Sequence, residues 1–363
     1  MKRTIKTVGM TMGLLLLIGN FTSCKNGKKV DNTLQQEGKI TAENTEKSAE
    51  KMTFRKPVVF ITGYDANETN FYSGAITYFA NKDFQIVEGT YSLEEIIQWL
   101  NTNASKNPYG EIHIVNNNTP QLGMNLETVV NGEKINAFSL QESINKGELP
   151  ALKNVITHDT KIIFHANELA EKTELINTLK GAFITDKTPQ VIASPYYNVF
   201  GGEFADHYLA KPYYIFYPTA HSPGKVDLSK EISKKYPEEK EIDWFSALTN
   251  ERERYVGEPY TIQYNVPVKF EFDYHNSDDE IPSFTIEEEV MDWIANDEDL
   301  VKEIEKLAIP IEKFRWSWHV KNSKLTIKGL STVLCVLKPI TKPYGDLEHV
   351  KPDTTNKRLY AMK

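Results

Sequence analysis

Pro57-Val58-Val59-Phe60-Ile61-Thr62-Gly63 is a continuous apolar run closed by a glycine. It is too short for a helix, and it lacks the polar alternation of a half-exposed strand. Such a run marks a strand buried on both faces, as in a parallel sheet covered by helices. Reading outward, 71–81 predicts a helix and Phe84-Gln85-Ile86-Val87 a second strand. Ser92-Leu93-Glu94-Glu95 is a capping box, with Ser92 at the N-cap and Glu95 at N3. Leu93, Ile96, Ile97 and Leu100 then share one helical face. Pro108-Tyr109-Gly110 turns the chain into Glu111-Ile112-His113-Ile114-Val115, a third strand. Strand and helix alternating at this spacing give an α/β fold, a mostly parallel sheet with flanking helices and right-handed crossovers.

The pattern continues through Val129–Ile135, where Asn131-Gly132 between apolar flanks predicts a β-hairpin. A helix is expected over 139–146 and a fourth strand at Lys161-Ile162-Ile163-Phe164. Another helix is expected over 167–180, with Leu169, Ile176 and Leu179 inward, and a fifth strand at Val191-Ile192-Ala193-Ser194. Beyond 196 the texture becomes β-rich. Tyr213-Tyr214-Ile215-Phe216-Tyr217 reads as a strand or a cleft wall, and 229–236 and 242–248 as helices. Residues 260–266 and 268–274 alternate about Pro267, which marks an edge or a bulge. Thr285-Ile286-Glu287-Glu288 is a second capping box, predicting one long helix to Leu307 with Ile286, Val290, Ile294, Val301, Ile304 and Ala308 on its buried face. Phe314, Trp316, Trp318 and Val320 share a strand face, and Thr326-Ile327 and 332–337 supply further strands. The expected organisation is a composite domain over 57–343, with an α/β core at 57–195 and a C-terminal β-rich elaboration at 196–343. A polar, loose tail follows at 344–363.

Composition limits the function classes. The chain has 363 residues with 40% hydrophobic content, enough for a substantial core. Its net charge of -8 argues against a nucleic-acid or anionic-membrane binder, which carries a basic surface. Ahead of the domain, Lys2, Arg3 and Lys6 precede an apolar run over 8–18 that is about half the ~20 residues a spanning helix needs. Residues 1–23 therefore read as a secretory signal. Phe21-Thr22-Ser23-Cys24 resembles a bacterial lipobox, which implies that Cys24 becomes the lipidated first residue of the mature chain. That expectation gives a lipoprotein on the bacterial cell envelope, periplasm-facing or on the outer surface, anchored to the membrane by acyl chains. Residues 24–56 are polar and charged, and read as a flexible tether.

Three strand ends hold the candidate chemistry, since ligands in open parallel sheets sit past the carboxyl ends of the strands. They are Thr62-Gly63-Tyr64-Asp65, Asn116-Asn117-Asn118-Thr119 and His165-Ala166-Asn167-Glu168. Over 57–195 the order and spacing of these segments are similar to the caspase–hemoglobinase fold, closest to its CHAT-type and related bacterial branches. The resemblance implies a general-base histidine at Asn117 and a nucleophilic cysteine at Ala166. Neither is retained, so it implies a pseudo-peptidase that binds or scaffolds. The rival reading is a hydrolase of another class, acting on a peptide or glycan through His165 with Asp65, Glu168 and Asn117 around it. The plainer role for His165 is to cap the next helix or satisfy a buried carbonyl.

Tyr196, Tyr197, Tyr213 and Tyr214, and separately Trp316 and Trp318, are candidate ligand platforms, because aromatic faces bind sugars and peptides, although core packing explains most such clusters. Asp206-His207 with His221 matches no metal-ligand spacing, and Asp278-Asp279-Glu280 lies in no EF-hand. Phosphate loops, dinucleotide fingerprints and nucleophile elbows are absent from the sequence, so no metal and no cofactor is expected. Cys335, within Thr332-Val333-Leu334-Cys335-Val336-Leu337, reads as a core thiol. The partners expected are an envelope protein, a peptide or a glycan, with no nucleic acid.

Overall fold

The computed structural model describes residues 53–65, 70–274, 281–343 and 347–363; the signal segment, Cys24, most of the tether and the acidic cluster at 278–280 lie outside them. Strands β1 (Val58–Ile61), β2 (Gln85–Glu88), β3 (Glu111–Asn116), β4 (Lys161–Ala166) and β5 (Gln190–Ala193) are parallel. They lie in the order β2-β1-β3-β4-β5. Helices α1 (Phe71–Ala80), α2 (Leu93–Thr102), α3 (Ala137–Lys146) and α4 (Thr173–Phe183) connect or flank them. Alternate strand residues divide between two cores. Val58, Phe60, Ile112, Ile114, Ile162 and Phe164 pack with α2, α3 and α4, while Val59, Ile61 and Val115 pack with α1. Strand order reverses between β1 and β3, and α1 packs on the second face, where Phe200, Leu209, Leu359 and Tyr360 cover the rest.

Most of the predicted elements of the first half form within a residue or two. The Ser92 capping box is present, Ser92 Oγ accepting from Glu95 N–H while the Glu95 carboxylate accepts from Ser92 N–H. The predicted hairpin is not. Asn131 takes φ 58 in a tight turn, but its flanks make only an isolated bridge between Glu127 and Lys134. The backbone of Glu127 and Thr128 instead accepts from Leu93 and Glu94, and so satisfies the orphan donors at the start of α2. The helix predicted from 167 begins later. A short 3₁₀ turn at Leu169–Glu171 precedes α4, because Asn167 and Glu168 are held in a turn.

The second half is an antiparallel sheet. Strands β6 (Tyr197–Phe200), β7 (His207–Pro218), β8 (Tyr260–Asp273), β9 (Arg315–Lys321) and β10 (Lys324–Pro339) take the order β6-β7-β10-β8, with β9 beside β10 where β7 ends. β8 runs unbroken through Pro267, which an edge strand tolerates. Helices α5 (Lys225–Lys235) and α6 (Trp244–Thr249) cover one face of this sheet. Helices α7 (Glu287–Ala295) and α8 (Glu298–Glu305) cover part of the other.

The single long helix expected over 285–307 is thus two. Asp297 caps α8 by accepting from Asp299 and Leu300 N–H, which stops α7. Ile286, not Thr285, sits at the N-cap of α7 and is exposed, as is Ala308; the buried face is Val290, Ile294, Leu300 and Ile304. The loose tail is also corrected. A last strand, β11 (Ala361–Met362), pairs antiparallel with β5, and Leu359 and Tyr360 are buried beneath it. Lys363 and Val191 exchange both backbone hydrogen bonds, so the chain end covers an edge that β5 would otherwise expose.

Candidate functional site at the strand ends

The ends of β3 and β4 lie side by side, with Val115 opposite His165 and Asn116 opposite Ala166. Asparagines lock the turns that follow. Asn118 Oδ1 accepts from Asn167 N–H at 2.6 Å, and Asn118 Nδ2 donates to Asn167 O at 2.8 Å. Asn167 Nδ2 donates back to Asn118 O at 2.9 Å, and Asn167 Oδ1 accepts from Asn198 N–H on β6 at 2.9 Å. Asn116 Nδ2 donates to Thr62 Oγ1, tying the β1 end to the β3 end. Asn117 N–H donates to the Tyr72 hydroxyl, and its carbonyl accepts from Asn125 Nδ2. Buried amides are affordable only when paired, and these pair with one another across three strands and both sheets.

His165 is not at a reactive surface. Strand parity turns it to the α1 side, where it is 4% exposed among Phe79, Phe200, His113 and His207. Its Nε2 lies 2.9 Å from His113 Nδ1. Burial, with the neighbouring imidazoles, holds its pKa well below the ordinary histidine range. His113 and His207 are lowered for the same first reason, His207 to about 3. His165 Nδ1 and His207 Nδ1 are buried without a hydrogen-bond partner among the described residues, and His113 Nε2 lies 3.6 Å from Glu111 Oε2. These rings are neutral aromatic filling rather than bases facing a substrate.

The carboxylates expected around His165 serve elsewhere. Asp65 accepts from Tyr72 and Ser73 N–H at 2.9 Å each, fixing the first turn of α1. Glu168, in a left-handed conformation (φ 52), accepts from the Tyr214 hydroxyl. Tyr214 and Tyr197 hydroxyls are 3.2 Å apart. Two groups of residues that the sequence offers separately, the β4 end and the tyrosine cluster, therefore meet at one place. Burial pushes the Glu168 pKa up to about 7 against the opposing hydrogen bond from Tyr214.

The remaining aromatic candidates are structural. Tyr213 is buried against Tyr236 and Trp244, and Tyr196 packs, partly buried, against the cluster that holds Ile192 and Leu209. Trp316 is 2% exposed; its ring lies over Gly329, where a Cβ would come within 2.7 Å of it, and its Nε1 donates to Ile311 O. Trp318 donates to Phe284 O and packs on its ring. Cys335 is buried as expected, and burial pushes its thiol up. Among the described residues, no group of three or more His, Cys, Asp or Glu side chains is placed to hold a metal ion.

Beside the asparagine lock lies a cavity of about 460 Å³ between the ends of the first sheet and the edge of the second. Asn70, Asn117, Asn167 and Asn198 line one wall, Gln263, Asn250 and Glu251 the other, and Tyr197, Tyr260 and Phe71 supply aromatic surface. The site lies past the β1 and β3 ends, at the reversal of strand order where open α/β sheets take their ligands. Sequence reasoning missed Asn198 and His113, and weighed His207 only as a metal ligand. Only strand parity pointed to the histidine pair, and nothing local pointed to β6. Comparison of the chain with family models, with curated proteins and with solved structures gave no match.

Proposed function

We propose that this chain is a lipid-anchored bacterial envelope protein, periplasm-facing or on the outer surface, whose strand-end cleft binds a peptide or glycan without cleaving it. On this reading the body is a pseudo-peptidase related to the caspase–hemoglobinase fold. One observation carries the binding half: where that chemistry needs a base and a thiol, the chain has Asn117 engaged in the asparagine lock and Ala166 fully buried, beside an open cavity lined by amides and tyrosine. Amide side chains both donate and accept, and aromatic faces stack, which suits a neutral polar ligand. The adjacency of the β3 and β4 ends supports the family resemblance. Acylation of Cys24 is the proposed anchor; no helix of the described residues is long and apolar enough to cross a membrane.

The hydrolase reading draws nothing from these cavities, because His165 lines neither of them and Glu168 is bonded to Tyr214 instead. The test is binding of the full chain to glycan and peptide arrays, with Gln263→Ala and Glu251→Ala compared with wild type. Both positions are exposed, so the fold is spared. The expected result is retention of a ligand class without cleavage products, weakened about tenfold by the double variant. Turnover of a captured ligand, abolished by His165→Ala, refutes the reading. Palmitate labelling that survives Cys24→Ser refutes the anchor.

A further inference from the structure

A second cavity, of about 480 Å³, opens from the end of β4 towards α3, α4 and α8. Asn167 borders both cavities, but the second differs in chemistry. Leu122, Met124, Leu169, Leu175 and Leu307 give it aliphatic walls, and Glu168 lines it. The Glu168 backbone is fixed in its left-handed conformation by a hydrogen bond from its N–H to Tyr196 O. Such conformations in a non-glycine residue persist only where surrounding structure enforces them, and they gather at ligand sites. One carboxyl oxygen, Oε2, accepts from Tyr214; Oε1 has no hydrogen-bond partner among the described residues. An acceptor left open beside aliphatic walls calls for a ligand with an apolar body and a strong donor, and a donor carrying positive charge gains most there.

We infer that this cavity binds an aliphatic amine as its ammonium ion, seated on the open oxygen of Glu168, with the alkyl chain along the leucine walls. Anions are disfavoured by Glu168, and the chain's net charge of -8 draws cations to it. Of the rim lysines, Lys306 is paired with Glu303, and Lys172, exposed to solvent, acts on Glu168 through space with no hydrogen bond to it among the described residues. The source is a lysine side chain of a peptide or a free diamine or polyamine; the ammonium-on-alkyl chemistry is shared.

The site is coupled to protons. Empty, the Glu168 carboxyl is half protonated near pH 7. The amine needs it ionised, so binding releases a proton below that pH. Tyr197, Tyr214, Tyr264 and Cys335, which face Glu168 from β6, β7, β8 and β10, are all pushed upward by burial and stay protonated through neutrality. Glu171, Lys172, Glu174, Glu303 and Lys306 are the charged groups around the mouth.

The test is calorimetric titration of the full-length chain with n-hexylamine, 1-hexanol and hexanoate, at several pH values and in buffers of different ionisation enthalpy. Hexylamine should bind at least about tenfold more tightly than hexanol, and hexanoate not at all. Its affinity should fall about tenfold per pH unit below 7, with close to one proton released, and become flat above 8. Glu168→Gln should remove the proton release and bring hexylamine to the affinity of hexanol. Leu307→Trp, which fills the cavity from a half-buried position, should weaken both ligands. Cadaverine set against an acetylated and amidated lysine tripeptide separates the two sources. Equal affinity for hexylamine and hexanol, no amine binding, or an unchanged preference in Glu168→Gln overturns the inference.

Discussion

Replacing His207 by phenylalanine should make the protein resistant to acid. His207 stacks on Phe200 with ring centroids 4.1 Å apart, so phenylalanine fills the same space and removes only the titration and one hydrogen bond to Asn198. Burial, with Lys82 and His113 nearby, lowers the folded pKa from 6.5 to about 3. Because the folded value is depressed, the unfolded chain binds the extra proton. Stability is complete above 6.5 and is lost as pH falls towards 3. At pH 5, about 1.5 units below the unfolded value, the loss from this residue is about 2 kcal/mol, and it approaches about 5 kcal/mol once pH passes 3. Urea unfolding of both proteins between pH 7.5 and 5 measures it. The difference in unfolding free energy between wild type and variant should move by about 2 kcal/mol in the variant's favour across that window, whatever the variant loses at neutral pH. Glu111, held at about 2 first by His113 and then by Lys161, titrates in the fold below the window, and Glu168 titrates alike in both proteins, so both drop out of the difference. Parallel pH profiles would refute the claim that the imidazole is buried and neutral.

Glu168→Gln should act with the opposite sign. The wild-type carboxyl titrates at about 7 in the fold against 4.5 unfolded, so wild type loses up to about 3 kcal/mol as pH rises from 4.5 to 7, and the glutamine variant should gain on wild type in urea unfolding by about 2 kcal/mol between pH 5 and pH 8. Asn167→Ala removes the amide that joins Asn118 to Asn198 and leaves a buried backbone donor and carbonyl short of a partner; a loss of about 2–4 kcal/mol is expected in denaturant melts. Deleting residues 359–363 exposes the β5 edge and removes buried Leu359 and Tyr360, each contributing about 2 kcal/mol. The truncated chain should melt lower in calorimetry and scatter light on standing, whereas an unchanged melting point would mean that the last strand does not dock.

The five parallel strands were legible because each is a short apolar run bounded by turn residues, and the helix after β2 because Ser92 and Glu95 announce its start within their own four residues. Local chemistry decides such elements. It misleads where a local signal is outbid by a distant partner. Asn131-Gly132 makes its turn, yet Glu127 and Thr128 turn their backbones to α2, so no hairpin ladder forms. Asp297 carried a visible cap signal within Asn296-Asp297-Glu298, but the apolar period running across it concealed the break. β11 had no readable pattern of its own. Two residues after a polar stretch become a strand only because β5 offers an open edge.

The candidate site divides in the same way. Asn117, Asn167 and Glu168 were identifiable from strand ends alone, since an open parallel sheet delivers those positions to one rim. What they do there depended on β6 and β7, far along the chain: Asn198 completes the asparagine lock, and Tyr214 takes one oxygen of Glu168. His165 shows why the position of a residue along a strand is insufficient without its parity. One residue earlier or later, its ring would face the leucines beneath α3 and α4; at its own place it joins His113 on the α1 side, and β7 adds His207 to close the group. Three buried neutral imidazoles thus span the contact between the two sheets. A drop in pH charges a junction rather than a catalytic group, so acid should loosen the packing of β6 and β7 on the first sheet, and with it the β6 wall of the first cavity.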